Sequence, residues 1–69
     1  MKPKIFKKEG LYYYAADIGK KDEPILVYTY KLEEDGDLRL RGDVAYYPIN
    51  KESRKKIAEI KKMVRTYKE

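Results

Sequence analysis

Basic side chains concentrate at the two ends of this 69-residue chain, and acidic ones concentrate between them. Residues 51–69 contain eight Lys or Arg and three acids, and residues 1–8 contain four Lys and no acid. Residues 9–50 hold five basic and nine acidic groups, so the ends together carry +9, the middle carries −4 and the whole chain carries +5. A segregated basic surface is what a polyanion requires of a protein partner.

Eight tyrosines add flat aromatic faces on which nucleic-acid bases can stack. Five of them form two runs, at residues 12–14 and 46–47. We expect Tyr28, Tyr30 and Tyr46 in the core. The candidates for base stacking are Tyr12, Tyr14 and Tyr47. The alternative for these three is packing at the edge of the core or in a dimer interface, where tyrosine is enriched.

Residue types that support catalysis or metal binding are scarce. The chain has no His and no Cys, which removes common general bases, thiol nucleophiles and zinc ligands. The acidic run 33–37 lacks the spaced ligands and distant glutamate of a calcium loop, so it is predicted to be a hairpin turn. We therefore predict a protein that is not an enzyme, with no cofactor, metal or small-molecule substrate.

The length of the chain predicts one small domain, residues 1–69, with a core that is marginal by itself. Charged residues make up 42% of it, a usage that resembles hyperthermophile proteins. No apolar run approaches the ~20 residues of a membrane span, and Met1 and Lys2 are not followed by a signal-peptide pattern. We expect a soluble cytoplasmic protein with no membrane partner.

Hydrophobic periodicity and turn residues predict an α+β fold, with a four-stranded antiparallel sheet and a C-terminal helix packed on one face. Asn50 is predicted to cap the helix, with Glu52 in its first turn. The predicted strands cover residues 4–7, 11–18, 25–32 and 38–47, and the predicted helix covers 51–67.

Register between the last two strands follows from their connection. A three-residue loop with Gly36 in the left-handed region pairs Leu32 with Leu38 and separates an apolar face from a basic one. The predicted core face comprises Leu26, Tyr28, Tyr30, Leu32, Leu38, Leu40, Val44 and Tyr46.

The predicted outward face of these strands carries Lys31, Arg39 and Arg41. Lys31 lies opposite Arg39, and like charges directly opposite each other destabilise a sheet. The pair therefore requires an anion, or a carboxylate such as Glu33 or Asp37.

The first hairpin, with Gly10 in a three-residue loop, is predicted to pair Ile5 with Tyr13. Lys4, Phe6, Tyr12 and Tyr14 would then point outward. On the helix, Ile57, Ile60, Val64 and Tyr67 form an apolar stripe, with Met63 beside them. A row of basic residues flanks this stripe on the helix and comprises Arg54, Lys61, Arg65 and Lys68. The row can bind successive phosphates of a nucleic acid, or it can be an ordinary solvated surface.

Residues 25–65 resemble the single-stranded-DNA-binding domain of the positive-cofactor-four transcriptional coactivator family. The similar segments are the apolar strand at 25–28, the acidic-glycine turn at 34–37 and the helix start at 49–52, followed by Ile57 and Ile60. Arg54 stands where that family has a tryptophan. The resemblance implies a dimer whose paired sheets grip unpaired bases, with Lys31, Arg39 and Arg41 as backbone contacts.

These patterns together predict a small basic protein that binds single-stranded DNA or RNA with weak sequence preference. The alternative is a protein-interaction or regulatory module, or a homodimer, without nucleic-acid binding. We also expect a homodimer that covers Ile25 and Val27. The candidate nucleic-acid-binding residues are Lys4, Tyr12, Tyr14, Lys31, Arg39, Arg41, Arg54, Lys61, Arg65 and Lys68.

Overall fold

The computed structural model describes residues 3–20 and 22–68, and Lys2 and Lys21 lie outside them. Four strands form one antiparallel sheet in the order β1-β2-β3-β4, and one helix follows. The predicted α+β class is confirmed, and each predicted boundary lies within two residues of the observed one. The elements are β1 (Lys4–Glu9), β2 (Tyr12–Ile18), β3 (Ile25–Leu32), β4 (Leu38–Tyr46) and α1 (Lys51–Thr66).

Helix α1 begins where the sequence predicts it to begin. The side-chain oxygen of Asn50 accepts a hydrogen bond from the backbone N–H of Ser53 at 2.9 Å, which satisfies one of the free donors of the first turn. Glu52 lies in that turn, near the positive end of the helix dipole. Ile57 and Ile60 are buried, and Met63 and Val64 pack against the core, so the predicted apolar stripe is confirmed.

The face of the sheet that α1 covers differs from the prediction. Ile25, which is 1% exposed, joins Phe6 and Ala16 in the cluster that packs against Ile57 and Ile60. We call this side of the sheet the helix-bearing face. The opposite side, the open face, is not covered by any element that the structure describes. It carries Tyr13, Leu26, Tyr28, Tyr30, Leu38 and Leu40.

The prediction that α1 covers the Leu26 face was therefore wrong. The expectation that Ile25 and Val27 lie on the outward face, where a homodimer would cover them, was also wrong, because both pack on the side that α1 covers. Both faces of β3 are apolar, so polarity alone does not decide between them. Phe6 and the small side chain of Ala16, which is 1% exposed, lie on the Ile25 side and complete the core there.

Register between β3 and β4 is confirmed next to the turn. Leu32 lies opposite Leu38, Tyr30 lies opposite Leu40, and Gly36 has a φ of 89°. An irregularity then follows, because Thr29 pairs with Gly42 and leaves Arg41 as an extra residue.

This β-bulge reverses the facing of the second half of β4. Val44 lies opposite Val27 on the helix-bearing face, where Tyr46 packs against the core. Leu26 and Tyr28 lie opposite Ala45 and Asp43, so Val44 does not share their face as predicted.

The β1–β2 hairpin also differs from its predicted register. Glu9 lies opposite Tyr12, so the connection is the two-residue turn Gly10-Leu11, with a Gly10 φ of 58°. Glycine at the first central position is typical of a type II′ turn. Ile5 consequently pairs with Ala15 and not with Tyr13.

A second irregularity between Ile5 and Lys7 directs Phe6 into the core. The predicted outward placement of Phe6 was therefore wrong. Tyr14 shares the helix-bearing face and packs against the same cluster, so it is half-buried and not free as predicted.

Candidate nucleic-acid interface

Three of the predicted site residues form a row across three strands. Tyr12 in β2 lies opposite Lys31 in β3, and Lys31 lies opposite Arg39 in β4. Because adjacent strands are ~4.8 Å apart, this turn-end row spans roughly 10 Å. Directly opposed residues point to the same side of a sheet, so all three lie on the helix-bearing face, near the β3–β4 turn.

The turn-end row lies on β2, β3 and β4, to the side of the main contact of α1. The helix packs mainly against β1, with further contacts to β2 and β4. Tyr12 is 42% exposed and Arg39 is exposed. In the next rank of residues, Thr29 lies opposite Gly42, and no atom approaches within 4 Å of the point where a side chain on Gly42 would begin. The row therefore borders a shallow, accessible part of the sheet surface around Gly42.

Carboxylates compensate two of the cations at this end of the sheet. The Arg39 guanidinium lies 3.1 Å from Asp35 Oδ2, and Arg41 pairs with Glu33. Carboxylates therefore pair with these arginines as predicted, but the partner of Arg39 is Asp35 and not Asp37. Lys31 forms no ion pair with any residue that the structure describes. Surface ion pairs of this kind contribute only ~0–1 kcal/mol, so a phosphate can compete for either arginine.

The ion pair at Arg39 has a measurable signature at Asp35. The backbone N–H of Asp37 donates to Asp35 Oδ1 at 3.0 Å, and with the Arg39 guanidinium it holds the pKa of the Asp35 carboxyl below its ordinary value. Both groups stabilise the charged carboxylate, and the backbone bond has the larger effect.

Arg39→Gln should therefore raise the pKa of Asp35 towards its ordinary value without reaching it, because the bond from Asp37 remains. Carboxyl ¹³C NMR titration measures this change directly. Arg41→Gln is the matched control and should leave the Asp35 titration in place. An unchanged Asp35 pKa in Arg39→Gln would contradict the pairing.

Lys7 extends the basic surface at the β1 edge, and the sequence reasoning did not select it. It lies opposite Tyr14, with its Nζ 5.6 Å from the centre of that ring and 2.6 Å from Glu9 Oε1. The hydrogen bond to Glu9 raises the pKa of the Lys7 ammonium. Strand alternation alone does not reveal its position, because the irregularity after Ile5 shifts the register of β1.

The first two residues of the predicted helix row lie at the other end of the strands. Arg54 and Lys61 line a depression with Asp22 and Glu23 of the β2–β3 loop, and Arg54 Nε donates to the carbonyl of Pro48 at 3.4 Å. Lys4 lies opposite Ala16, also away from the β3–β4 turn. Lys4, Arg54 and Lys61 are therefore separate from the turn-end row. Arg65 lies in the last turn of α1, and Lys68 lines a depression with Lys8 and Tyr13, near the turn end of β1 and β2.

Comparison with known proteins gives no match to any family model, curated protein or solved structure. The resemblance to the positive-cofactor-four family stays a prediction. Among the described residues, no helix is long and apolar enough to span a membrane. Within the same part of the chain, no three His, Cys, Asp or Glu side chains come together in a group able to hold a metal ion.

Proposed function

We propose that this chain is a cytoplasmic nucleic-acid-binding protein, and not an enzyme, that holds single-stranded DNA or RNA across the turn-end row. The observation that carries the proposal is the row itself, in which Lys31 lies between an exposed tyrosine and an arginine on one accessible surface. A base stacked on Tyr12 would have its neighbouring phosphates within reach of Lys31 and Arg39.

Each group in the row has a distinct role in this proposal. The ring of Tyr12 offers a face on which any base can stack, a contact that tolerates sequence variation. Lys31 and Arg39 neutralise phosphates and release condensed counterions, which makes binding strongly salt-dependent. Because such contacts do not read base edges, they favour binding with weak sequence preference.

The nearby acids moderate the affinity. Glu33, Glu34 and Asp35 line the same depression as Lys31 and Arg39 beside the turn. A phosphate must displace Asp35 from Arg39, and Glu33 from Arg41, before it gains either contact. We therefore expect weak binding that is most easily detected at low salt.

Fluorescence anisotropy with labelled dT and mixed RNA oligomers, at ~50 and ~200 mM salt, tests the proposal. The double reversal Arg39→Glu/Arg41→Glu should weaken binding and reduce the slope of log K against log salt by roughly 1.4, two single-strand phosphate contacts. The control is Arg54→Glu/Lys61→Glu, which makes the same change in net charge at the other end of the strands. It should leave the slope nearly unchanged.

Two results would contradict the proposal. Absence of binding at the lower salt, up to high micromolar protein, would overturn nucleic-acid binding altogether. Loss of binding in the Arg54/Lys61 control, with normal binding after the Arg39/Arg41 reversal, would move the site to the helix row. Circular dichroism of each variant confirms that it is folded.

A protein-interaction role is the second candidate, and a specific observation favours it. The open face exposes Leu26, Leu38 and Leu40 together, which is unusual for a protein surface that contacts only water. A negative result in the binding test would make this face the main functional surface.

A further inference from the structure

The open face is an apolar and aromatic surface that no described element covers. Leu38 is 43% exposed and Leu40 is 53% exposed, although both belong to the face on which Tyr28 and Tyr30 lie in contact range at 6.4 Å between ring centres. Ala15 lies between Ile5 and Tyr28 on the same face. Ala15 is 3% exposed, so its larger neighbours on the open face cover it.

The area of this face is close to what a stable contact requires. Four strands at ~4.8 Å spacing, with about seven residues each at ~3.3 Å, cover roughly 440 Å² in projection. Two facing copies would therefore bury about 900 Å², a value that treats each face as flat and leaves out the extra surface of protruding side chains. Specific interfaces exceed about 1,000 Å² in total, so the open face approaches that size.

The charges of the open face do not fit a polyanion. Lys8 lies on it opposite Tyr13, whereas Asp17 and Asp43 lie on it opposite Leu26 and Tyr28. Lys68 lines a depression with Lys8 and Tyr13, so acidic and basic groups balance and the face offers a polyanion no concentration of positive charge. Tyrosine-rich, charge-poor surfaces are instead typical of the centres of protein interfaces.

The small core supplies a reason for a second copy of this chain. Among the described residues, the buried side chains are only Phe6, Ala15, Ala16, Ile25, Ile57 and Ile60. A chain of this length without disulfides or metal usually gains stability by association. We propose that the open face is the interface of a symmetric homodimer, in which two sheets pack face to face.

The charges also select the orientation of the two copies. Sheets that pack face to face keep their strands within about 30° of each other. A two-fold axis parallel to the strands, between β2 and β3, lays β1 of one copy over β4 of the other. Ala15 then lies over the partner's Tyr28. Lys8 lies over the partner's Leu40, ~7 Å along the strand from the partner's Asp43 and within reach of its carboxylate. An axis perpendicular to the strands, through the centre of the open face, would lay β4 over the partner's β4 and leave the two Asp43 carboxylates, and the two Lys8 side chains, one rank apart.

This dimer is independent of the proposed function. The turn-end row lies on the helix-bearing face, so pairing through the open face leaves Tyr12, Lys31 and Arg39 accessible in both copies. The two rows would face outward on opposite sides of the assembly.

Sedimentation velocity between ~1 and ~100 μM tests the interface. The wild-type chain should sediment as a dimer, and Leu40→Glu should shift it to monomer by placing a charge in the interface. Val44→Glu is a matched control, because Val44 has the same 53% exposure on the same strand but lies on the helix-bearing face. It should remain dimeric.

A charge exchange tests the orientation without disturbing apolar packing. Lys8→Glu and Asp43→Lys should each weaken the dimer, and the double variant should restore it. A wild-type monomer at ~100 μM, or equal effects of Leu40→Glu and Val44→Glu, would overturn the proposed interface. Failure of the double variant to restore association would overturn the axis parallel to the strands. Helical circular dichroism verifies that each variant is folded.

Discussion

Replacing Ile25 with alanine should lower the free energy of unfolding by about 2–5 kcal/mol. Ile25 is the largest side chain among those described that is fully buried, and it belongs to the cluster containing Ile57 and Ile60 of α1. A domain of this size has roughly 3–10 kcal/mol of stability in total, so the loss removes a large share. Thermal unfolding followed by circular dichroism should show a midpoint lower by about 10 °C or more.

Ile49→Ala provides a control with the same change in chemistry. Ile49 is 76% exposed in the connection between β4 and α1, so its truncation should change stability by no more than about 0.5 kcal/mol. Similar midpoints for the two variants would show that Ile25 is not in the core. The comparison therefore also tests which face of the sheet α1 covers.

Local signals in the sequence predicted the elements and one hairpin well. Gly36 adopts the expected left-handed conformation, and this places Leu32 opposite Leu38 and Lys31 opposite Arg39. Asn50 caps α1, and the apolar spacing of Ile57 and Ile60 places both in the core. Each of these features depends on residues that are close along the chain, which is why periodicity and turn chemistry reveal them.

The two irregularities in the sheet explain most of the errors. A bulge adds one residue to one strand, so every later side chain of that strand points to the opposite face. The alternation of polar and apolar residues in the sequence does not show where this happens. Arg41 and Phe6 are the residues at these points, and Val44 and Lys7 change sides as a result. The connection at Gly10 has the same effect, since a two-residue turn and a three-residue loop both accept a glycine.

The choice of covered face depends on contacts between distant parts of the chain. Leu26 and Ile25 are equally suitable core residues when β3 is considered alone. Packing of Phe6 and Ala16 against α1 decides in favour of Ile25. The same decision places Lys31 and Arg39 on the side of the sheet that carries the helix, while Arg54 and Lys61 of the helix row lie at the β2–β3 loop. The predicted site residues therefore do not form one surface, and those that come together across three strands are the members of the turn-end row.

Tyr12→Ala should weaken binding of labelled dT oligomers by about 1–3 kcal/mol, roughly 5- to 150-fold in Kd at 25 °C. Tyr12 is the exposed aromatic member of the turn-end row, and its removal eliminates the stacking face beside Lys31. The charge of the protein does not change, so the dependence of binding on salt should keep its slope. Anisotropy titrations at two salt concentrations measure both quantities.

Two further tyrosine variants separate stacking from general loss of aromatic surface. Tyr12→Phe keeps the ring and should bind nearly as well as the wild type. Tyr47→Ala removes a tyrosine that is 54% exposed just after β4, at the end of the strands away from the β3–β4 turn, and should leave affinity unchanged. Equal losses in Tyr12→Ala and Tyr47→Ala would contradict a stacking role specific to the row. A loss in Tyr12→Phe as large as in Tyr12→Ala would show that the hydroxyl group, and not the ring face, makes the contact.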